Sequence, residues 1–307
     1  MRMRASIQNL IKNSIFIECT LPNAEQNICK SKYTTAEDFC LNKTSDQSVA
    51  QVIYNNIVEY AIGEFEIDYE NLEEELCRAI AENIRFDEDM NPTTKLSCGF
   101  YGEVLLYSLL VNIFSADLLI SKGYFYSPLE KGEPKGFDAY HLIQHDDKVE
   151  LWFGEAKFRS DYRQPINEVL SNFSKTTSEG YFKDNVLAIV KEKHNISNGY
   201  NIVDKLTPIT QTWKKNVSIN IAEELEKNNA DLVYPIMIAY QQPKRCNYYE
   251  GIKKCINYIE EQFKTGNYVI NTSYPIKVFF IFFPIDDVKK IKEQVIEWIS
   301  NKEPLIS

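Results

Sequence analysis

Apolar positions follow two periods along this chain. Leu232 to Tyr240 and Ile276 to Pro284 are almost continuously apolar, the pattern of central strands covered on both faces. Each run is followed by a helical period: residues 248–263 with Ile252, Ile256, Ile259 and Phe263, and residues 286–299 with Val288, Ile291, Val295 and Trp298. Upstream, Phe137 to Ile143 and Val149 to Phe158 read as strands joined by a hairpin turn at His145-Asp146-Asp147-Lys148. A helix is predicted next, with Ile166, Val169, Leu170 and Phe173 inward. Glu103 to Phe114 reads as another helix, with Leu106, Leu109, Leu110 and Ile113 on one side and Gly99 and Gly102 ahead of it. Residues 117–126 suit a strand pair or a bent strand, and Lys131 to Gly136 a turn-rich loop. The mixed stretch 176–230 carries no single period. The succession of helix, strand, strand, strand, helix and strand predicts an α/β fold with a central mixed sheet flanked by helices.

Before this core, Leu72, Leu76 and Ile80 recur every four residues and predict an amphipathic helix with a Glu-rich outer face. Asn91-Pro92-Thr93-Thr94 is the best boundary. It divides an N-terminal region, 1–91, from a domain over 92–307. Charge sharpens the division. The 307 residues carry a net charge of −10, and residues 59–89 alone hold twelve acidic side chains and two arginines. The remainder balances at 32 acidic and 32 basic residues, so the deficit belongs to one segment. A solvated helix face accounts for such a run; a docking surface is the functional alternative.

Composition narrows the function classes. Seven cysteines in no CxxC pair, with three histidines, give no zinc framework. Reduced thiols and the lack of a signal-like segment point to the cytoplasm. The longest strongly apolar run, Val278 to Phe283, has six residues against about 20 needed to span a bilayer. No membrane association is expected. No GxxxxGK[ST] motif occurs, so an ATP-driven step would belong to another protein.

Four acid-x-lysine triplets occur, and context separates them. Glu133-Pro134-Lys135 and Asp146-Asp147-Lys148 fall in turns, and Asp287-Val288-Lys289 opens a helix. Glu155-Ala156-Lys157 ends an apolar strand, where residues two apart share a face. Asp138, on the neighbouring predicted strand, adds a second carboxylate. Asp138 and Glu155, with the Ala156 carbonyl, suit a hard ion such as Mg²⁺, with Mn²⁺ as a substitute. Such a site is chemistry for phosphodiester hydrolysis, with Lys157 orienting water or stabilising charge on phosphate. Glu103 is the fourth catalytic and metal-binding candidate; a helix-start Glu favoured by the macrodipole is the plainer account. A charge network at a strand edge would bring the same residues together without catalysis. Arg159, Arg163 and Gln164 open the next helix and could hold DNA phosphates. His141, three residues after Asp138, points to the opposite face and reads as a core histidine, with DNA contact as the alternative. Paired carboxylates Glu103 and Glu155 acting on a sugar would leave Asp138 and Lys157 unused.

Gly136-Phe137-Asp138 followed by Leu151-Trp152-Phe153-Gly154-Glu155-Ala156-Lys157 resembles the PD-(D/E)XK nuclease signature. Gly136-Phe137 stands where that signature has Pro before the first acid. With Gly99-Phe100-Tyr101-Gly102-Glu103 upstream, the chain resembles the HamA subunits of Hachiman anti-phage systems over about residues 98–175. That resemblance implies a restriction-endonuclease-like core with an N-terminal extension, and a Mg²⁺-dependent deoxyribonuclease. It also implies a superfamily-2 helicase partner, HamB, that restrains the nuclease until infection; the acidic run in 59–89 makes residues 1–91 the candidate docking region for it. A catalytically inactive, nuclease-like regulatory or DNA-binding subunit is the rival reading.

Overall fold

The computed structural model describes residues 4–63, 66–84, 86–126, 135–145, 148–192, 221–266, 268–270 and 272–306. Seven strands form one mixed sheet: β1 (Ile15–Leu21), β2 (Asp38–Lys43), β3 (Asp117–Leu118), β4 (Ala139–Gln144), β5 (Val149–Arg159), β6 (Ala230–Gln241) and β7 (Ile276–Ile285). Their spatial order is β1-β2-β7-β6-β5-β4-β3. The central strands β2, β7, β6 and β5 run parallel, and an antiparallel pairing closes each side.

The two apolar runs become β6 and β7, and their side chains divide between two cores as expected. Phe279, Ile281 and Phe283 enter one; Val278, Phe280 and Phe282 enter the other. On the first face lie helices α1 (Ala5–Ser14), α2 (Asp46–Asn55), α3 (Ile57–Ala61), α4 (Leu72–Arg78), α5 (Pro92–Ser97), α6 (Phe100–Asn112) and, from the far end of the chain, α11 (Val288–Asn301). Helices α7 (Arg163–Thr176), α8 (Glu179–Lys191), α9 (Ile221–Lys227) and α10 (Tyr248–Thr265) cover the second. The helices predicted over 248–263 and 286–299 are thus α10 and α11, and each alternates apolar and polar residues over 14 or more positions. Among the described residues, no helix is long and apolar enough to cross a membrane.

Three expectations change. Residues 117–126 are not a strand pair: a two-residue β3 gives way to a 3-10 helix over Lys122–Phe125. The Ser121 side chain accepts from the Gly123 amide and starts that turn, while Lys122 is drawn inward by two carboxylates. The helix carrying Leu72 and Leu76 stops at Arg78 and continues as a π-helical turn, Ala79–Asn83. Its acidic face is not wholly solvated, because Glu75 is buried; earlier in the acidic segment, Glu59 of α3 is buried too and paired with Arg4 at 2.7 Å. Finally, residues 1–91 do not stand beside the sheet as an extension. β2 pairs with β7, and buried Asp38 accepts from the Phe280 amide at 2.8 Å. The hairpin residues 146–147, loop residues 131–134 and residues 193–220 lie outside the described set.

Helix α6 crosses β5 closely because of Gly102. A Cβ there would sit 3.1 Å from the Phe158 Cβ, an atom with no freedom to retreat. Gly102→Val is therefore expected to lower stability by about 1–3 kcal/mol through overpacking. Gly102→Ala should cost less, since alanine recovers roughly 1 kcal/mol of helix propensity. Urea denaturation midpoints for the two variants measure the difference; equal midpoints would contradict a close α6–β5 approach.

Candidate active site

The hairpin β4–β5 sets the register of the candidate residues. Ala139 pairs with Gly154, and the Asp138 amide donates to the Gly154 carbonyl at 2.8 Å. Asp138 therefore lies beside Glu155. Gly136 makes the approach: its φ of +129° is open to glycine and strained for other residues. A Cβ there would strike the Tyr140 hydroxyl and the Asn185 carbonyl oxygen, which bond to each other at 2.6 Å. The turn before Asp138 is thus fixed by glycine.

Glu155 and Lys157 share the β5 face toward α7 and α8, as their spacing requires, and the Lys157 ammonium donates to Glu155 at 2.5 Å. Ala156 packs toward α6, and its amide donates to Asp138 Oδ2 at 2.9 Å. The other Asp138 oxygen accepts from Lys122 Nζ at 2.6 Å, and the same ammonium meets Glu103 Oε2 at 3.0 Å. Glu103 also accepts from the Tyr60 hydroxyl. The result is a buried chain of charges, Glu103–Lys122–Asp138, beside the pair Glu155–Lys157.

Each group's acidity follows from this arrangement. Burial raises Glu155, the Asp138 charge adds to it, and Lys157 only partly offsets them, leaving its carboxyl at about 7. Burial also raises Asp138, but Lys122 and Lys157, with hydrogen bonds from Lys122 and the Ala156 amide, outweigh it and hold Asp138 below the usual range. Burial prevails for Glu103, which is raised despite the longer contact to Lys122. Burial lowers both lysines, yet their carboxylate neighbours win, and both stay protonated. With all three carboxyls ionised they outnumber the two ammonium groups, and Glu103 and Glu155, both raised, are the ones that take up a proton instead.

Glu103, Asp138, Glu155 and Lys157 are thus brought together, although Glu103 reaches the others only through Lys122. Lys122 was not read from the sequence. Its signal was a lone charge in the otherwise apolar stretch Leu118–Tyr126, since a lysine is almost never fully buried without a partner. Tyr60 gave no signal. The DNA-contact candidates divide. His141 is 1% exposed, has no hydrogen bond at either ring nitrogen, and packs against Tyr107 of α6; burial alone lowers its pKa to about 3. It lies on the α6 side of the sheet, inside the core, as its strand parity indicated, and the DNA-contact alternative fails on burial. Arg159 ends β5, while Arg163 and Gln164 are exposed at the start of α7. The Gln164 amide already donates to Glu168 at 2.8 Å.

Among the described residues, no group of three or more His, Cys, Asp and Glu side chains converges as a ready metal cage. What does fit a hard divalent ion is sparser: two adjacent carboxylates, Asp138 at the head of β4 and Glu155 on β5, side by side. Mg²⁺ commonly takes one or two carboxylates and fills the rest of its shell with water and phosphate oxygens.

No curated protein and no solved structure matches the chain. The family model described as HamA matches residues 14–299, which include every candidate residue named above.

Proposed function

This chain belongs to the HamA family, and from that membership we propose that it is the nuclease subunit of a Hachiman-type antiviral defence system. The reading is a PD-(D/E)XK enzyme that hydrolyses DNA phosphodiester bonds with Mg²⁺ or Mn²⁺. The observation that carries it is the adjacency of Asp138 and Glu155 with Lys157 beside them on one sheet face. Asp138 and Glu155, with the Ala156 carbonyl, would hold the ion, and Glu103 would act from one step behind, through Lys122. A divalent ion there supplies positive charge to a phosphate oxygen. Lys157, kept protonated by its carboxylate neighbours, is suited to stabilise charge developing on the phosphate. Its raised pKa makes it a poor proton acceptor. A HamB-type superfamily-2 helicase would restrain the enzyme, with the exposed acids of residues 59–89, such as Glu73 and Glu74, on the docking side.

A second reading has support of its own. Lys122 already neutralises Asp138 and Glu103, as a nuclease-like subunit without turnover would have it. Purified protein incubated with plasmid in Mg²⁺ or EDTA, with and without the helicase, separates the two. Mg²⁺-dependent cleavage supports the enzyme; intact plasmid in every arm supports the inactive subunit.

The ion site also predicts a pH dependence. The Glu155 carboxyl is raised from 4.5 to about 7 in the folded protein. Its neutral form therefore favours folding fully below about 4.5, and this contribution is lost as pH rises through about 7. Asp138, Lys122, Lys157, Tyr181 and Tyr234 face it, and none of the other groups is expected to change charge in that window. Because the ion needs the charged form, Mg²⁺ should raise the melting temperature more at pH 8 than at pH 6. In Glu155→Gln the two shifts should converge; an unchanged pH dependence in that variant would remove Glu155 from the ion site.

A further inference from the structure

A cavity of about 530 Å³ opens where β5 and β6 end and α7 and α10 begin. Its wall includes Asp161, Arg163, Gln241, Gln242, Lys244 and Lys254. Three separate segments each contribute a cation: Arg163 at the start of α7, Lys244 in the β6–α10 turn and Lys254 of α10. The one acid among these six, Asp161, accepts from the Arg163 amide at 2.6 Å and lies 3.9 Å from the Arg163 guanidinium; Lys254 donates to Cys246 Sγ at 2.8 Å and keeps its other N–H donors, so Lys244 and Lys254 are the cations the acid does not pair. In a chain of net charge −10, three cations and two amide side chains around one hollow form an anion-seeking surface. Crevices at the carboxyl ends of parallel strands are common ligand sites in open α/β sheets.

The position relates this hollow to the candidate active site. Helices α7 and α10 pack on the sheet face that carries Glu155 and Lys157. Lys157 and Ser160 are three residues apart, about 10 Å along an extended strand. That is close to the rise of three nucleotides at roughly 3.4 Å each. We propose that the cavity is a phosphate-binding subsite, holding a polynucleotide strand downstream of the bond presented to Glu155 and Lys157. The inference rests on the nuclease reading for its substrate, and Arg163 joins Lys244 and Lys254 as the side chains that meet phosphate.

The test measures binding without turnover. Anisotropy of a fluorescein-labelled DNA duplex is titrated with full-length Glu155→Gln in EDTA across a salt series. Lys244→Gln/Lys254→Gln is then added to that parent. Loss of two phosphate contacts should weaken binding about ten-fold or more and reduce the slope of log K against log salt by about 2. Lys244→Gln alone, at an exposed position, should reduce it by about 1, which keeps the test valid if the double variant folds poorly. Inorganic phosphate is titrated in parallel. Equal duplex affinity and slope in parent and variants overturn the subsite, and phosphate binding to the parent under those conditions would make it a free-phosphate site. Wild type that cuts no DNA, with the variant difference intact, would sink the nuclease reading and leave the subsite standing. Cleavage by wild type with no variant difference does the reverse.

Discussion

Replacing Lys122 with methionine is expected to destabilise the protein by about 3–5 kcal/mol near neutral pH, the cost of leaving a buried partner charge uncompensated. In a chain of this size the melting temperature should fall by on the order of 10 °C. The side chain is only 5% exposed and its ammonium meets both Asp138 and Glu103. Methionine keeps the bulk and removes the charge, so the loss reports electrostatics rather than a cavity. The sign with pH follows. Without Lys122, burial dominates at both carboxyls and raises them, so they fold best protonated. The deficit should shrink toward acid pH and widen as pH rises. Adding Glu103→Gln removes one of the stranded charges and should recover part of the loss. Thermal melts of the single and double variants across pH measure this. A Lys122→Met protein as stable as wild type at pH 8 would mean that Lys122 does not neutralise this pair.

The largest effect on activity is expected at Glu155 and Lys157. Each change to alanine should lower DNA cleavage by on the order of 10²–10³-fold or more, the scale of losing one group that stabilises transition-state charge. Glu155→Ala and Lys157→Ala should remain folded, because the partner each leaves behind keeps a side chain 18% exposed. Asp138→Ala is less clean: it strands Lys122 and the Ala156 amide together. Asp138→Asn, which keeps an acceptor for that amide, is the better probe at that position. Single-turnover plasmid cleavage, read alongside circular dichroism melts, separates chemistry from folding. Full cleavage by folded Glu155→Ala would end the assignment of this site.

The acidic N-terminal segment remains a candidate docking surface, with its exposed members redefined. Glu73 and Glu74 face outward, while Glu75 is buried, so substitutions meant to probe docking belong at the first two. Exposed ion pairs contribute only about 0–1 kcal/mol each, and an apolar anchor would have to carry most of such an interface.

By itself the sequence determined what depends on period and near neighbours. Unbroken apolar runs required β6 and β7 to be covered on both sides, because strand side chains alternate between faces. The two-residue spacing put Glu155 and Lys157 on one face, and the three-residue spacing sent His141 to the other. The hairpin between two adjacent strands brought Asp138 to Glu155 across a short loop. What only the tertiary structure decided depends on contacts between distant segments. Lys122 meets Asp138 from 16 residues away, and Tyr60 meets Glu103 from 43. No local period encodes either pairing, since each exists only when the first helical layer docks on the sheet. The N-terminal strands are the extreme case. β2 joins β7 across some 240 residues, and its short run Asp38–Lys43 mixes polar and apolar side chains. That run becomes a strand between β1 and β7, whose backbone donors and acceptors on either side must be satisfied once buried.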